Sequence, residues 1–228
     1  MTSKRTVRVA VIDSGVHAQH PHVGHVAGGA GFNEHGEMQA DFVDRLGHGT
    51  AVAAAIHEKA PTAELHCLKV FDRELATTGS SLVAACDYAR SLAVDLVNMS
   101  LGTDNTTHEP ALGEAVRRLR DQKAVVIAAG EQDGVRWLPG ALPGVWAVVL
   151  DWSVPRDRCR IDRLTANGAI FRASGFPRPI PGVPPARNLK GLSFAVANVT
   201  GIIAQLLVDD DGDPKAVVTR AFERGVFS

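Results

Sequence analysis

The chain is 228 residues long, 45% hydrophobic and 21% charged. That excludes collagen-like, low-complexity and disordered classes and allows a core without disulfide staples. Twenty-four Lys and Arg against 25 Asp and Glu give a formal charge of −1, which argues against nucleic acid or an anionic membrane as a partner.

The N-terminal MTSKRT, with no hydrophobic signal core or small-residue cleavage site, runs straight into residues 7–12 (VRVAVI). This β-branched run is ended by Asp13-Ser14-Gly15 and reads as a strand and turn. Residues 17–38 are rich in His and Gly without a clear period and read as loop. Residues 49–59 are Ala-rich, stop at Pro61 and read as helix. A strand follows at 65–71, then a helix at 80–92 with Leu82, Val83, Cys86, Tyr88 and Ala89 at helical spacing. Further on come a strand at 95–101, a helix at 110–120 and strands at 124–129 and 145–150. Residues 178–185 hold four prolines and read as extended loop. Residues 193–207 are apolar all round, the mark of a buried helix, and 213–224 form an amphipathic one. No apolar run free of polar residues approaches the ~18 residues of a membrane span. Strands alternating with helices predict an α/β fold, one domain over 1–228, with a mainly parallel sheet covered on both faces.

Polar residues stand at the ends of these elements. Asp13 ends the first strand, where the functional crevice of an open α/β sheet lies. His48 sits within Gly47-His48-Gly49-Thr50 at a helix start, and Ser193 opens the buried helix after Gly191-Leu192. Acyl transfer needs a hydroxyl nucleophile, an imidazole to take its proton and a carboxylate to orient the imidazole. A serine at a helix front also has free backbone N–H groups for a developing oxyanion. Singly, a strand-end Asp is more often a turn cap and such a Ser a helix cap. The chain order Asp, His, Ser is that of the subtilisin triad.

The segments carrying these residues resemble the subtilisin-like serine proteases. Val9-Ala10-Val11-Ile12-Asp13-Ser14-Gly15 with His20-Pro21 resembles the family's aspartate motif, and Gly47-His48-Gly49-Thr50 its histidine motif. Val97-Asn98-Met99-Ser100-Leu101-Gly102 resembles the substrate-binding strand, and Gly191-Leu192-Ser193-Phe194-Ala195 the serine motif. The resemblance implies that Ser193 is the nucleophile, His48 the general base and acid, and Asp13 the orienting carboxylate. It also implies that Ser100, Leu101 and Gly102 pair with an extended peptide, with Leu75, Ala76 and Thr77 as the second edge; main-chain bonds then give affinity and side-chain pockets selectivity.

The pattern departs at the oxyanion site. The family's Ala-Ala-Gly is followed by an asparagine whose amide donates to the oxyanion; here Ala128-Ala129-Gly130 is followed by Glu131. The threonine before the serine is replaced by Leu192. Three readings of Glu131 stand. A protonated acid donates, as desolvated carboxyls do; this is the expectation adopted, because the turn is short and flanked by apolar residues. Alternatively Gln132 supplies the amide, or the chain binds peptides without cutting them. Arg136 and Trp137 fall where the resemblance places the floor of the primary specificity pocket. There Trp137 partly fills the pocket and Arg136 favours an acidic side chain, unless they are a core tryptophan and a solvated arginine.

His17, His20, His22 and His25 cluster in a loop and are not read as a metal site. The acidic run 209–213 lacks EF-hand spacing and reads as a turn capping the last helix. Cys67, Cys86 and Cys159 are too scattered for a disulfide framework and read as reduced, buried thiols. The expectation is therefore a cytoplasmic serine endopeptidase without cofactor or metal, trimming a precursor or leader peptide. Its partner is a peptide or protein bound as an extended strand, with a further partner protein as an option. The rival is a weak or inactive peptide-binding or scaffold module of the same fold; an esterase is disfavoured by Ser100-Leu101-Gly102.

Overall fold

In the computed structural model, residues 5–227 are described; positions 1–4, the start of MTSKRT, and 228 lie outside them. The first strand, β1 (Arg8–Asp13), shows how the molecule is layered. Successive strand side chains point to opposite faces. Val9 and Val11 enter one apolar cluster, Ala10 and Ile12 another. A strand buried on both faces needs a covering layer on each.

Those layers are helical. On the Val9 face lie α1 (His48–Lys59), α4 (Leu192–Asp209) and α5 (Pro214–Glu223); on the Ile12 face lie α2 (Gly79–Ser91) and α3 (Glu109–Asp121). Between them runs one sheet built from β1, β2 (Val26–Phe32), β3 (Met38–Gln39), β4 (Glu64–Lys69), β5 (Leu96–Met99), β6 (Val125–Ala129), β7 (Trp146–Leu150), β8 (Cys159–Thr165) and β9 (Gly168–Ala173). Its order is β3-β2-β4-β1-β5-β6-β7-β9-β8. Every pairing is parallel except those of the two edge strands, β3 on β2 and β8 on β9. The mainly parallel α/β sheet with helices on both faces is the architecture expected.

Four strands were not foreseen. The stretch 17–38, expected as loop, contains β2 and leads into β3. β2 reads VAGGAGF, and glycine has weak strand preference; it becomes a strand by pairing with β4 along Gly28–Gly31. The β8–β9 hairpin also went unread, although Asn167-Gly168 is a strong hairpin signal. The charged side chains of β8 (CRIDRLT) hide its alternation.

α4 is long and apolar enough to cross a membrane by length and composition, but most of it is buried beneath the sheet. At its far end Asp213 caps α5 by accepting from Lys215 N at 3.1 Å, and both oxygens of Asp210 accept from Arg220 at 2.7 Å. The acidic run is thus the entry to α5. All three cysteines are free and buried, and burial pushes each thiol up to about 12.

Candidate active site

The parallel sheet delivers Asp13 to the carboxyl end of β1, fully buried. His48 is the first residue of α1, and its Nδ1 donates to Asp13 Oδ1 at 2.7 Å. With a carboxylate as acceptor Nδ1 must hold the proton, so Nε2 is left as a base. Ser14 N donates to the same Asp13 oxygen at 2.7 Å; Oδ2 is buried without a hydrogen-bond partner among the described residues. Burial disfavours the imidazolium, but the hydrogen bond and charge of Asp13 outweigh it, and the His48 pKa is raised.

Ser193 lies in the first turn of α4, where backbone N–H groups lack intrahelical partners. The His48 ring stands 5.6 Å from that of the adjacent Phe194. The Ser193 hydroxyl does not donate to His48 here; it donates to the Ser100 carbonyl at 2.9 Å. Ser100 Oγ donates in return to the Ser193 carbonyl at 2.8 Å.

Two sets of supporting residues were missed by sequence reasoning. Asn98 Nδ2 donates to Ser100 Oγ, and Thr200 Oγ1 donates to Asn98 Oδ1, each at 2.9 Å. This buried polar chain ties the front of α4 to the end of β5. Asp44 accepts five hydrogen bonds: from Ser14 Oγ, Leu46 N and Gly47 N on Oδ1, and from Thr50 N and Oγ1 on Oδ2, all at 2.6–2.9 Å. Ser14 Oγ in turn accepts from Gly49 N at 2.8 Å. Burial alone would raise the Asp44 pKa, but the Thr50, Leu46 and Ser14 donors overcome it and hold it low. The carboxylate therefore anchors the turn that presents His48. Asp44 lies four residues before His48, a spacing that could have flagged it as a local cap.

A model of the family described as "Subtilase family" matches residues 4–152, well over half of the chain. The chain belongs to the subtilase family. It is 29% identical over 240 residues to an intracellular serine protease of Paenibacillus polymyxa, covering 98% of this chain and 71% of that relative. It is 28% identical over 173 residues to the minor extracellular protease Epr of Bacillus subtilis (strain 168), covering 72% of this chain but only 26% of the relative. Among solved structures, the epidermin leader peptide processing serine protease EpiP of Staphylococcus aureus shares the fold with a TM-score of 0.70. Its identity is 15%, over 95% of this chain and 70% of that one.

The expected substrate-binding residues of this subtilase fall in two places. Ser100, Leu101 and Gly102 continue beyond β5 next to Ser193. Leu75, Ala76 and Thr77 form an irregular, largely exposed stretch; Ala76 and Thr77 line a concavity of ≈ 660 Å³ shared with Lys69 and Arg45, and Ser193 is not in its lining. Beyond Met99 and Ala128 the neighbouring strands β5 and β6 part, and the segment from Trp137 to Gly140 closes the gap. Thr103 and Leu138 exchange backbone hydrogen bonds at 3.0 and 2.8 Å. A Cβ on Gly140 would stand 1.8 Å from the Ala129 carbonyl oxygen, and one on Gly102 would stand 3.0 Å from Trp137 Cβ and 3.3 Å from its ring. Trp137 is therefore half-buried, packed against the core and seated against Gly102, while Gly140 lies against Ala129.

The residues expected at an oxyanion site have other surroundings than expected. Glu131 is exposed, so the apolar enclosure expected around a neutral acid is not present. Gln132 is committed elsewhere: its Oε1 accepts from Leu150 N at 3.1 Å and its Nε2 donates to Asp133 at 3.0 Å. Leu192 is half-buried against the core. Arg136 donates to the Ala141 carbonyl at 3.3 Å and lies 3.8 Å from Glu109, so its charge already faces an acid.

Proposed function

We propose that this subtilase is a serine endopeptidase acting through Asp13, His48 and Ser193, with a narrow range suited to processing a precursor or leader peptide. The observation that carries the reading is the 2.7 Å Asp13–His48 hydrogen bond beside a serine at a helix front. In the reaction Ser193 Oγ turns from the Ser100 carbonyl to His48 Nε2, gives up its proton and attacks the scissile carbonyl. Asp13 stabilises the resulting imidazolium, which then protonates the leaving amine; water repeats the sequence on the acyl-enzyme. The oxyanion faces the Ser193 N–H. Glu131 as a carboxylate offers no second donor, so turnover is slow.

Narrow range has a structural basis in Trp137. With the crevice beside Gly102 filled, the residue before the scissile bond is small, glycine or alanine. The leader-peptide protease with which this chain shares its fold offers a precedent for processing one precursor.

A second reading, peptide binding without cleavage, is favoured by the Ser193 hydroxyl being turned to Ser100 rather than His48. A fluorophosphonate probe separates the two. Labelling of wild type but not of Ser193→Ala or His48→Ala is expected; no labelling of wild type would leave the binder.

A further inference from the structure

A groove of ≈ 450 Å³ opens beside the triad. Its walls include Gly47, the residue before His48, and Leu189, four residues before Ser193. None of its lining comes from β5, β6 or the segments that follow them, where the acyl half of a substrate would lie. Its lining residue Gly47 adjoins His48, which protonates the leaving amine in the proposed reaction, so the groove is assigned to the leaving side.

One wall is the proline-rich stretch, irregular except for a single 3-10 turn at Pro185–Arg187. Arg178 Nη1 donates to the His22 carbonyl at 2.8 Å, Asn188 Nδ2 donates to the Arg178 carbonyl at 3.1 Å, and the Phe176 ring packs against that of Trp152 at a tilt, their centroids 4.9 Å apart. Proline fixes φ and stiffens such a wall. Ile180, Val183 and Leu189, at 43%, 37% and 50% exposure, leave apolar surface along it.

The charge in the groove is predominantly positive. Arg178 and Arg187 have no carboxylate partner among the described residues, and the imidazoles of His17, His20 and His22 stand around them. The one carboxylate in the lining is Asp44, whose two oxygens already accept the five hydrogen bonds given above. Glu58, near His22, is paired with Arg156. Burial and the Arg178 charge hold the His22 imidazole below its ordinary pKa, as expected of a positive field. The formal charge of the whole chain is −1, so this concentration is local.

We propose that the groove binds the leaving half of the substrate and selects an acidic side chain within the first three residues past the scissile bond. The inference rests on the peptidase reading for the direction of the chain, but its affinity does not depend on turnover.

The test uses peptides with a fixed acyl half ending in glycine and a leaving half carrying Glu, Gln or Lys at its second or third position, each with a free or amidated end. Binding is measured by fluorescence anisotropy on Ser193→Ala, and kcat/KM on wild type. Glu over Lys by about tenfold is expected in both, two rim arginines each contributing a few-fold. Arg187→Glu should reverse the order, and Arg178→Gln should flatten it. Because Arg178 also pins the His22 loop, the exposed Arg187 variant decides if the other fails to fold. Equal affinity for Glu and Lys, or a preference unmoved by Arg187→Glu, overturns the proposal, as does a preference that follows the free chain end instead of the side chain. Selective binding without cleavage by wild type would support the groove and reject the peptidase reading; cleavage with no charge preference would do the reverse.

Discussion

Glu131 is the position where one substitution should improve this protein. If it stands beside the developing oxyanion, it places an acceptor where a donor is needed. Two variants divide the effect. Glu131→Ala removes only the charge, and because the side chain is exposed that charge acts through water, where a unit pair at ~4 Å changes a rate by a factor of about five. Glu131→Asn also adds an amide donor, which is worth about 10²–10³ in rate at the oxyanion site of subtilisin. Exposure weakens the new hydrogen bond, so the lower end, about 10² in kcat, is expected here. The donor acts only when the carbonyl oxygen gains charge, so KM should stay within about twofold. The assay is steady-state hydrolysis of a peptide with glycine before the scissile bond, paired with the rate of fluorophosphonate labelling. An asparagine variant no faster than wild type, or one that improves KM alone, would remove Glu131 from the oxyanion site.

The raised His48 pKa places the rising limb of the pH–kcat/KM profile above pH 6.5. Asp13→Asn should move that limb down while lowering kcat by about 10⁴. The same shift acts on stability: the protonated His48–Asp13 pair contributes fully below pH 6.5, and its contribution is lost as pH rises through the folded pKa. Melting of wild type against His48→Ala across that window checks the sign. Trp137→Gly should open the crevice beside Gly102 and raise kcat/KM for Leu or Phe substrates at least tenfold relative to Gly, since burying such a side chain is worth about 1.5–3 kcal/mol; an unchanged profile by competition assay would place the tryptophan outside the subsite. Thr200→Val keeps the shape but strands the buried Asn98 Oδ1, costing about 1–3 kcal/mol. Calorimetry should show Tm lower by about 3–10 °C, with kcat reduced as the link from Asn98 to Ser100 loosens.

Much of the layered fold was legible from local signals. The apolar run of β1 and the apolar length of α4 each declare a buried element by composition alone, and alternation of strand and helix forces a parallel sheet. β2 was illegible because its glycines carry no strand signal; the hydrogen bonds to β4 make it one. Asp13, His48 and Ser193 stood out because each sits in a short glycine-bearing motif at the end of an element. Asp44 lay within reach of the same reasoning, four residues before His48, but its five donors appear only when 13–17 and 46–50 are folded together.

The sequence by itself therefore determined the fold class and nominated the reacting groups, because strand and helix periodicity and the motifs around those groups are properties of neighbouring residues. Tertiary structure alone decided what surrounds them. Ser100 and Ser193 exchange hydrogen bonds across 93 positions, and Asn98 meets Thr200 across 102. Trp137 meets Gly102 beyond the end of the β5–β6 pairing, and Arg178 meets the His22 carbonyl only because a proline-rich stretch folds back over the loop containing His22. Such contacts depend on how whole layers pack, and nothing in the residues on either side of them announces the partner.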